Sequence, residues 1–355
     1  MNTEFLGISF DLWDTAVSDS VQGRERKKNR YLELLAPYGK DNRQRLAVLY
    51  RKYKEENSTR GALTLGLGIE DRARRLLAEL GGPVGDAPKL AASMSETAML
   101  TLPHPAPGLV QVYQEFVTRI PISIISNTRW TSGATAQRIL RHTQLADYIS
   151  SLASSDEVGW AKPSPAIFAS AWKPLGIDPT RTVHIGDTHK RDHAGATAAG
   201  AVSVISRVLR KVREVGETEA HAICWDYQDL PSILRYLETE DQTDEWMLLA
   251  QGSPTSGTVV AGRVRVIDEP AITSVWGSVV VLRDCGSDYL PIFHSAAAIL
   301  SEADSCPDRL ARMARSCDVT CIVGLDEIGS FLNDGDRVLV DGRRGLVWKH
   351  CEVRP

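Results

Sequence analysis

Short apolar runs alternate with segments of helical spacing along residues 122–206, and this alternation constrains the chain more than any other feature. The runs "ISIIS", "TVHIGD" and "AVSVIS" read as strands, with "YISSLASSDEV" strand-like between the first two. "TSGATAQRILRHTQL", "SPAIFASAWKPLG" and "HAGATAAG" read as the helices that separate them. Strands of this length, joined by helices, predict an α/β fold with a parallel sheet covered on both faces. "FLGISFDLWDT" supplies one more buried strand at the start, and "LPSILRYLE" closes the region near residue 238.

Two stretches fall outside this pattern. From about Val17 to Leu102 the spacing is helical throughout, as in "RERKKNRYLELLAPYG", "NRQRLAVLYRKYKEEN" and "IEDRARRLLAELGG". This predicts an all-helical insertion, 17–102, in a core built from 1–16 and 103–238. Its first half is rich in Arg and Lys, the usual mark of a solvated helix face and a means of drawing anions. The acidic "TEDQTDE" lies in a linker, 239–250. Beyond it, short β-rich segments such as "GTVVAGRVRVI" and "DRVLVDG", and the helix "CPDRLARMARSC", make a smaller domain, 251–355.

The totals exclude some partners. A net charge of -4 gives no electrostatic reason to bind nucleic acid. No apolar run is long enough to span a membrane, and the first residues read as a strand rather than the basic-then-apolar layout expected of a signal peptide. Six cysteines, none in a CxxC pair or a zinc spacing, point to reduced thiols in the cytoplasm.

Chemistry in an open parallel sheet gathers at the carboxyl ends of its strands. Asp11, Ser126 and Asp187 end three of them, Lys162 sits in the loop "GWAKPSP", and Asp192 follows Asp187 by five residues. A carboxylate nucleophile needs cations to receive a second anion, and one or two carboxylates suffice for Mg²⁺ beside phosphate and water. Ser126 can donate to a phosphoryl oxygen, and Lys162 can neutralise the nucleophile.

In order and in neighbours, these residues resemble the haloacid dehalogenase-like hydrolases. "FDLWDT", "ISN", "GWAKPSPAIF" and "HIGDTHKRDHAGATAAG" are similar to the four motifs of that superfamily. The resemblance implies a Rossmann-like core with a helical cap and an aspartyl-phosphate on Asp11. It also implies Mg²⁺ held by Asp11, the backbone carbonyl of Trp13 and Asp187, with Asp192 assisting directly or through water. Asn127, Trp13, Asp14, Arg129 and His189 are the candidate substrate-binding residues, and a small phosphorylated metabolite is the expected substrate.

Trp13 departs from the pattern. The family's phosphatases usually carry an Asp two residues after the nucleophile to protonate the leaving oxygen. Acid–base help of this kind is worth roughly 10²- to 10⁴-fold. A leaving group that needs no proton, a donor elsewhere (Asp14, a cap residue, the substrate) or a slow binding site are the alternatives.

The C-terminal segments resemble the swivelling phosphohistidine domain of phosphoenolpyruvate-utilising enzymes. Laid on that family's central motif without a gap, this chain places Asp304 and Ser305 on the Gly-Gly pair and Arg309 on the phosphate-carrying His. An arginine stays protonated and is no phosphoryl carrier. The domain therefore reads as degenerate, for binding or docking, with an ATP-grasp or phosphoenolpyruvate-synthase-like protein as candidate partner. Trp13 and Arg309 together also support two other readings. One is a non-catalytic phosphate- or partner-binding scaffold. The other is a phosphate-eliminating component of a multi-enzyme dehydration.

Overall fold

The computed structural model describes residues 4–38, 44, 47–49, 51–52, 65–241, 245–267, 275–283, 289–302 and 307–351. Asp304 and Ser305 of the degenerate motif, and the basic Arg43, Arg45 and Lys54, lie outside them.

The predicted parallel sheet is present. β1 (Gly7–Phe10) lies between β4 (Ile122–Ser126) and β6 (Thr182–Gly186), and β5 (Ile149–Ser154), β7 (Val202–Ser206) and β8 (Ala222–Cys224) extend it on either side. All these pairings are parallel. β1, β4 and β6 are buried at every residue, as strands covered on both faces must be. Short helices fill the crossovers, among them Gly133–His142, capped by Ser132, and Pro165–Trp172, with its proline at the first turn.

The inserted segment is mostly helical among its described residues. α1 (Val21–Leu35), α2 (Ile69–Leu80) and α3 (Ala87–Thr97) pack around Tyr31, Leu35, Leu76, Leu77, Leu90 and Met94. Trp130 of the core inserts into this cluster. Where the chain leaves and re-enters the core, β2 (Val17–Ser18) pairs with β3 (His104–Pro105). The cap therefore stands on a two-stranded ribbon, and it touches the core again where Arg72 donates to the Thr128 carbonyl at 3.3 Å.

The smaller domain is built from β9 (Trp246–Gln251), β10 (Ser253–Ser256), β11 (Val259–Ile267), β12 (Ser278–Leu282), β13 (Ala298–Ser301), β14 (Thr320–Val323), β15 (Arg337–Asp341) and β16 (Leu346–His350). The second half of the stretch read as a linker is strand β9, antiparallel to β16. The composition of 239–245 hides this, because the polar run ends just before Trp246. β11 pairs parallel with β8, so core and smaller domain share one sheet of 14 strands among the described residues. They share apolar packing as well: Trp246, Val259, Ala261 and Leu339 belong to the same buried cluster as Phe10, Val204 and Leu234. No described helix is long and apolar enough to cross a membrane.

Candidate active site

Asp11 follows the last residue of β1, where its amide still donates to the Ile185 carbonyl of β6 at 2.8 Å. That bond directs the side chain out of the sheet's carboxyl edge, beside Asp187, which follows β6. Lys162 arrives from the loop after β5. Its ammonium is fully enclosed and donates to Asp11 Oδ1 at 2.7 Å and to Asp192 Oδ1 at 2.5 Å. Asn127 sets this lysine in place: its amide side chain accepts from Lys162 N at 2.7 Å and donates to Lys162 O at 3.0 Å.

Asp192 is saturated. Oδ1 meets Lys162 and His184 Nε2 (3.2 Å), and Oδ2 accepts from Thr188 N (3.0 Å) and Thr188 Oγ1 (2.5 Å). His184 is in turn held by Ser9 Oγ at 3.0 Å. A carboxylate with both oxygens so occupied orients its neighbours. Nearby Lys162 and the His184 bond hold its pKa well below the usual carboxylate range, against the cost of burial.

One carboxylate oxygen from each of Asp11, Asp187 and Asp192 lies within 4.8 Å of the others. Burial, then Asp192 and Asp11, push the Asp187 carboxyl up to about 7. Burial likewise raises Asp11, with Lys162 opposing. Hard oxygen donors crowded this closely, in a dry site, suit a divalent cation such as Mg²⁺. Arg207 donates to the Asp187 carbonyl at 2.6 Å, and Arg210 lies 3.4 Å from its Oδ2.

A cavity of about 670 Å³ opens over these groups, between core and cap. Asp11, Trp13, Asp14, Asn127, Arg129, Lys162 and Asp187 line its core side, and Arg24, Lys27, Lys28 and Arg51 its cap side. Arg129 and Arg191 both face it, and neither forms an ion pair among the described residues. Asp14 holds φ at 59°, where its carboxylate accepts from Ser18 and pairs with Arg24 at the foot of the cap.

Lys27 is the exception to the reading of the basic run as a solvated face, since Arg24, Arg26, Lys28 and Arg30 of α1 are exposed and Lys27 is buried. It lies on the inward stripe of α1 with Gly23, Tyr31 and Leu35, bonds Asp19 Oδ1 at 2.5 Å, and stands 5.3 Å from the Trp13 ring centre. Helical spacing alone contained this signal, since 23, 27, 31 and 35 share a face.

His189 is corrected too. It is not among the residues lining the cavity. Its ring stacks on His193 and pairs with Glu219, on the π-helical turn His189–His193. Ser126 is buried at the end of β4 and does not line the cavity, although its hydroxyl bonds no other described residue. Arg191, Arg207, Arg210, His184 and Thr188 were not singled out from the sequence. Arg191 and Thr188 lie inside the fourth motif, but Arg207 and Arg210 come from a loop with no pattern of its own.

The model of the haloacid dehalogenase-like hydrolases matches residues 6–200. The chain belongs to this family. The chain also carries a match to the mobile domain of PEP-utilising enzymes over residues 274–345. It is 32% identical over 112 residues to a phosphoenolpyruvate synthase of Aeropyrum pernix, covering 31% of this chain and 14% of that one. It is 30% identical over 127 residues to a phosphoglycolate phosphatase of Neisseria meningitidis, covering 36% of this chain and 52% of the other. The chain thus spans about a seventh of the length of the synthase and about half that of the phosphatase. Among solved structures, a 2-haloacid dehalogenase from Pseudomonas syringae superposes with a TM-score of 0.49 at 21% identity, covering 66% of this chain and 99% of that one.

Proposed function

We propose that this hydrolase removes phosphate from a small phosphorylated metabolite through an aspartyl-phosphate on Asp11. The observation that carries the reading is the Asp11–Lys162–Asp192 chain, beside Asp187 and under a cavity lined by unpaired arginines. Lys162 holds one oxygen of Asp11 and leaves the other to attack. Mg²⁺ on Asp11, Asp187 and the Trp13 carbonyl would offset the charge of the incoming phosphoryl group. Asp192 serves by holding Lys162 and Thr188, not by binding the cation. Arg129 and Arg191, which face the cavity, take the phosphoryl oxygens.

The carboxylate oxygen of Asp11 forms its bond to phosphorus as the ester P–O bond breaks on the opposite side. In-line departure sends the leaving oxygen toward the cap, where Lys27 stands over Trp13. Lys27 is the proton donor of this reading, and burial lowers its pKa toward that task. The neutral amine then takes a proton from the water that hydrolyses the acyl phosphate, which returns Asp11 and releases phosphate. The free thiols Cys224, Cys317, Cys321 and Cys351 suit a reducing, cytoplasmic setting.

The test is phosphate release from a panel of phosphorylated metabolites, with and without Mg²⁺, in the native protein and in Asp11→Asn. Release that needs both Mg²⁺ and Asp11 supports the reading. Binding of phosphorylated ligands with no release from any of them would leave a scaffold instead.

A further inference from the structure

We propose a second metal site, for Zn²⁺, formed by His189, His193 and Glu219 and separate from the carboxylates around Asp11. One ring nitrogen from each histidine and one Glu219 oxygen lie within 4.8 Å of one another. Two imidazoles and a carboxylate are a common zinc donor set, with water completing the tetrahedron. Donors around a tetrahedral zinc sit about 3.3–3.6 Å apart at its usual bond lengths. Glu219 is the exposed member, with 69% of its side chain open, and can rotate to close the difference.

The two histidines are four residues apart on a π-helical turn, which brings their rings to 4.7 Å between centres, 24° from parallel. Their surroundings are built for a fixed ring. Ser203 Oγ holds His193 Nδ1 at 2.6 Å, which settles its orientation as outer partners do for metal-bound histidines. Gly216, at φ 91°, lets the backbone pass against His189: a Cβ there would lie 2.8 Å from Cε1 of the ring.

The site joins two segments that converge on Asp187. His189 and His193 follow it directly in sequence, and Glu219 ends the loop whose Arg207 and Arg210 hold it. A bound zinc would pin that loop to the turn, giving a structural metal for the phosphoryl site.

Equilibrium dialysis against zinc at pH 7.5 tests this. The double variant Asp11→Asn/Asp187→Asn removes the other metal site and is expected to keep one zinc per chain. In that background, Glu219→Gln and His189→Asn, both near the surface, are expected to weaken binding about 10- to 100-fold or more. Absence of zinc from the double variant overturns the site. So does unchanged affinity on losing His189 and Glu219, which would leave only the 3.1 Å His189–Glu219 hydrogen bond. Neither result tests whether Asp11 carries the phosphoryl group.

Discussion

Asp318 of the smaller domain accepts a hydrogen bond from the backbone amide of Glu217 in the core, with Oδ2 2.6 Å from the nitrogen. Its other oxygen takes the Thr218 hydroxyl. Arg213, in the same loop, donates to the Asp318 and Ala296 carbonyls. Buried Glu217 in turn pairs with Arg207, which holds the Asp187 carbonyl. A line of bonded groups therefore runs from the end of the helix Pro307–Cys317, which carries Arg309, to the phosphoryl site. The shared sheet and this clamp tie the smaller domain to the loop that holds Asp187.

Asp318 sits at φ 53°, so its replacement must separate backbone from side chain. Asp318→Gly keeps the conformation and removes the clamp. It is expected to cost about 1–3 kcal/mol in denaturant unfolding, the usual penalty for orphaned donors, and to raise the Mg²⁺ concentration needed for half activity. Asp318→Asn keeps an acceptor and should lose less. Equal, negligible losses in both would show that the loop holds Asp187 without the clamp.

Lys162→Met leaves Asp11 and Asp192 facing one another with no cation between them. Breaking a buried pair on one side costs about 3–5 kcal/mol, so the variant should unfold earlier and release no phosphate. Adding Asp192→Asn removes one of the two stranded charges and should recover part of the stability but none of the activity. Thermal unfolding alongside phosphate release measures both.

The place of Lys27 is read with leaving groups of graded acidity. Lys27→Met should slow release from alkyl phosphates by about 10²- to 10⁴-fold while barely changing nitrophenyl esters, whose leaving oxygens need no proton. Trp13→Asp in the same protein puts an acid at the position two after the nucleophile and should restore the alkyl esters. A uniform loss over the whole series would make Lys27 a packing residue of the cap.

His221 gives stability a pH dependence. Its Nδ1 accepts from Ser203 N at 3.2 Å, and burial, with Arg343 nearby, lowers its pKa in the folded state. Below the unfolded value of about 6.5 the unfolded chain binds a proton that the folded chain does not, so stability falls as pH drops through that point. The slope from this group is at most about 1.4 kcal/mol per pH unit. His221→Asn keeps an acceptor without a titration. Melting curves from pH 8 to 5 should diverge between the two proteins only below about pH 6.5.

Cutting the chain after residue 241 tests the join between domains. It removes β11 from β8 and strips Val259, Ala261 and Leu339 from the shared cluster. A core left with an open apolar edge should aggregate or melt well below the full chain. A truncated core as stable as the whole would show that the shared strands add little.

The sequence by itself determined the class of fold, the alternation of strands and helices in the core, and the identity of Asp11, Lys162, Asp187 and Asp192 as groups at or after strand ends. Those follow from local periodicity and from motifs whose residues are close neighbours in the chain. It also placed Asp11, Lys162, Asp187 and Asp192 together, because each ends or follows a strand at the same edge of a parallel sheet. Only the tertiary structure decided which side of α1 bears Lys27, that His189 leaves the cavity, and that Asp192 is already saturated. It alone decided that β8 and β11 pair, so that the domain with Arg309 is continuous with the core sheet. These depend on contacts between residues as far apart as Glu217 and Asp318, and nothing in the spacing of a single strand or helix encodes such partners.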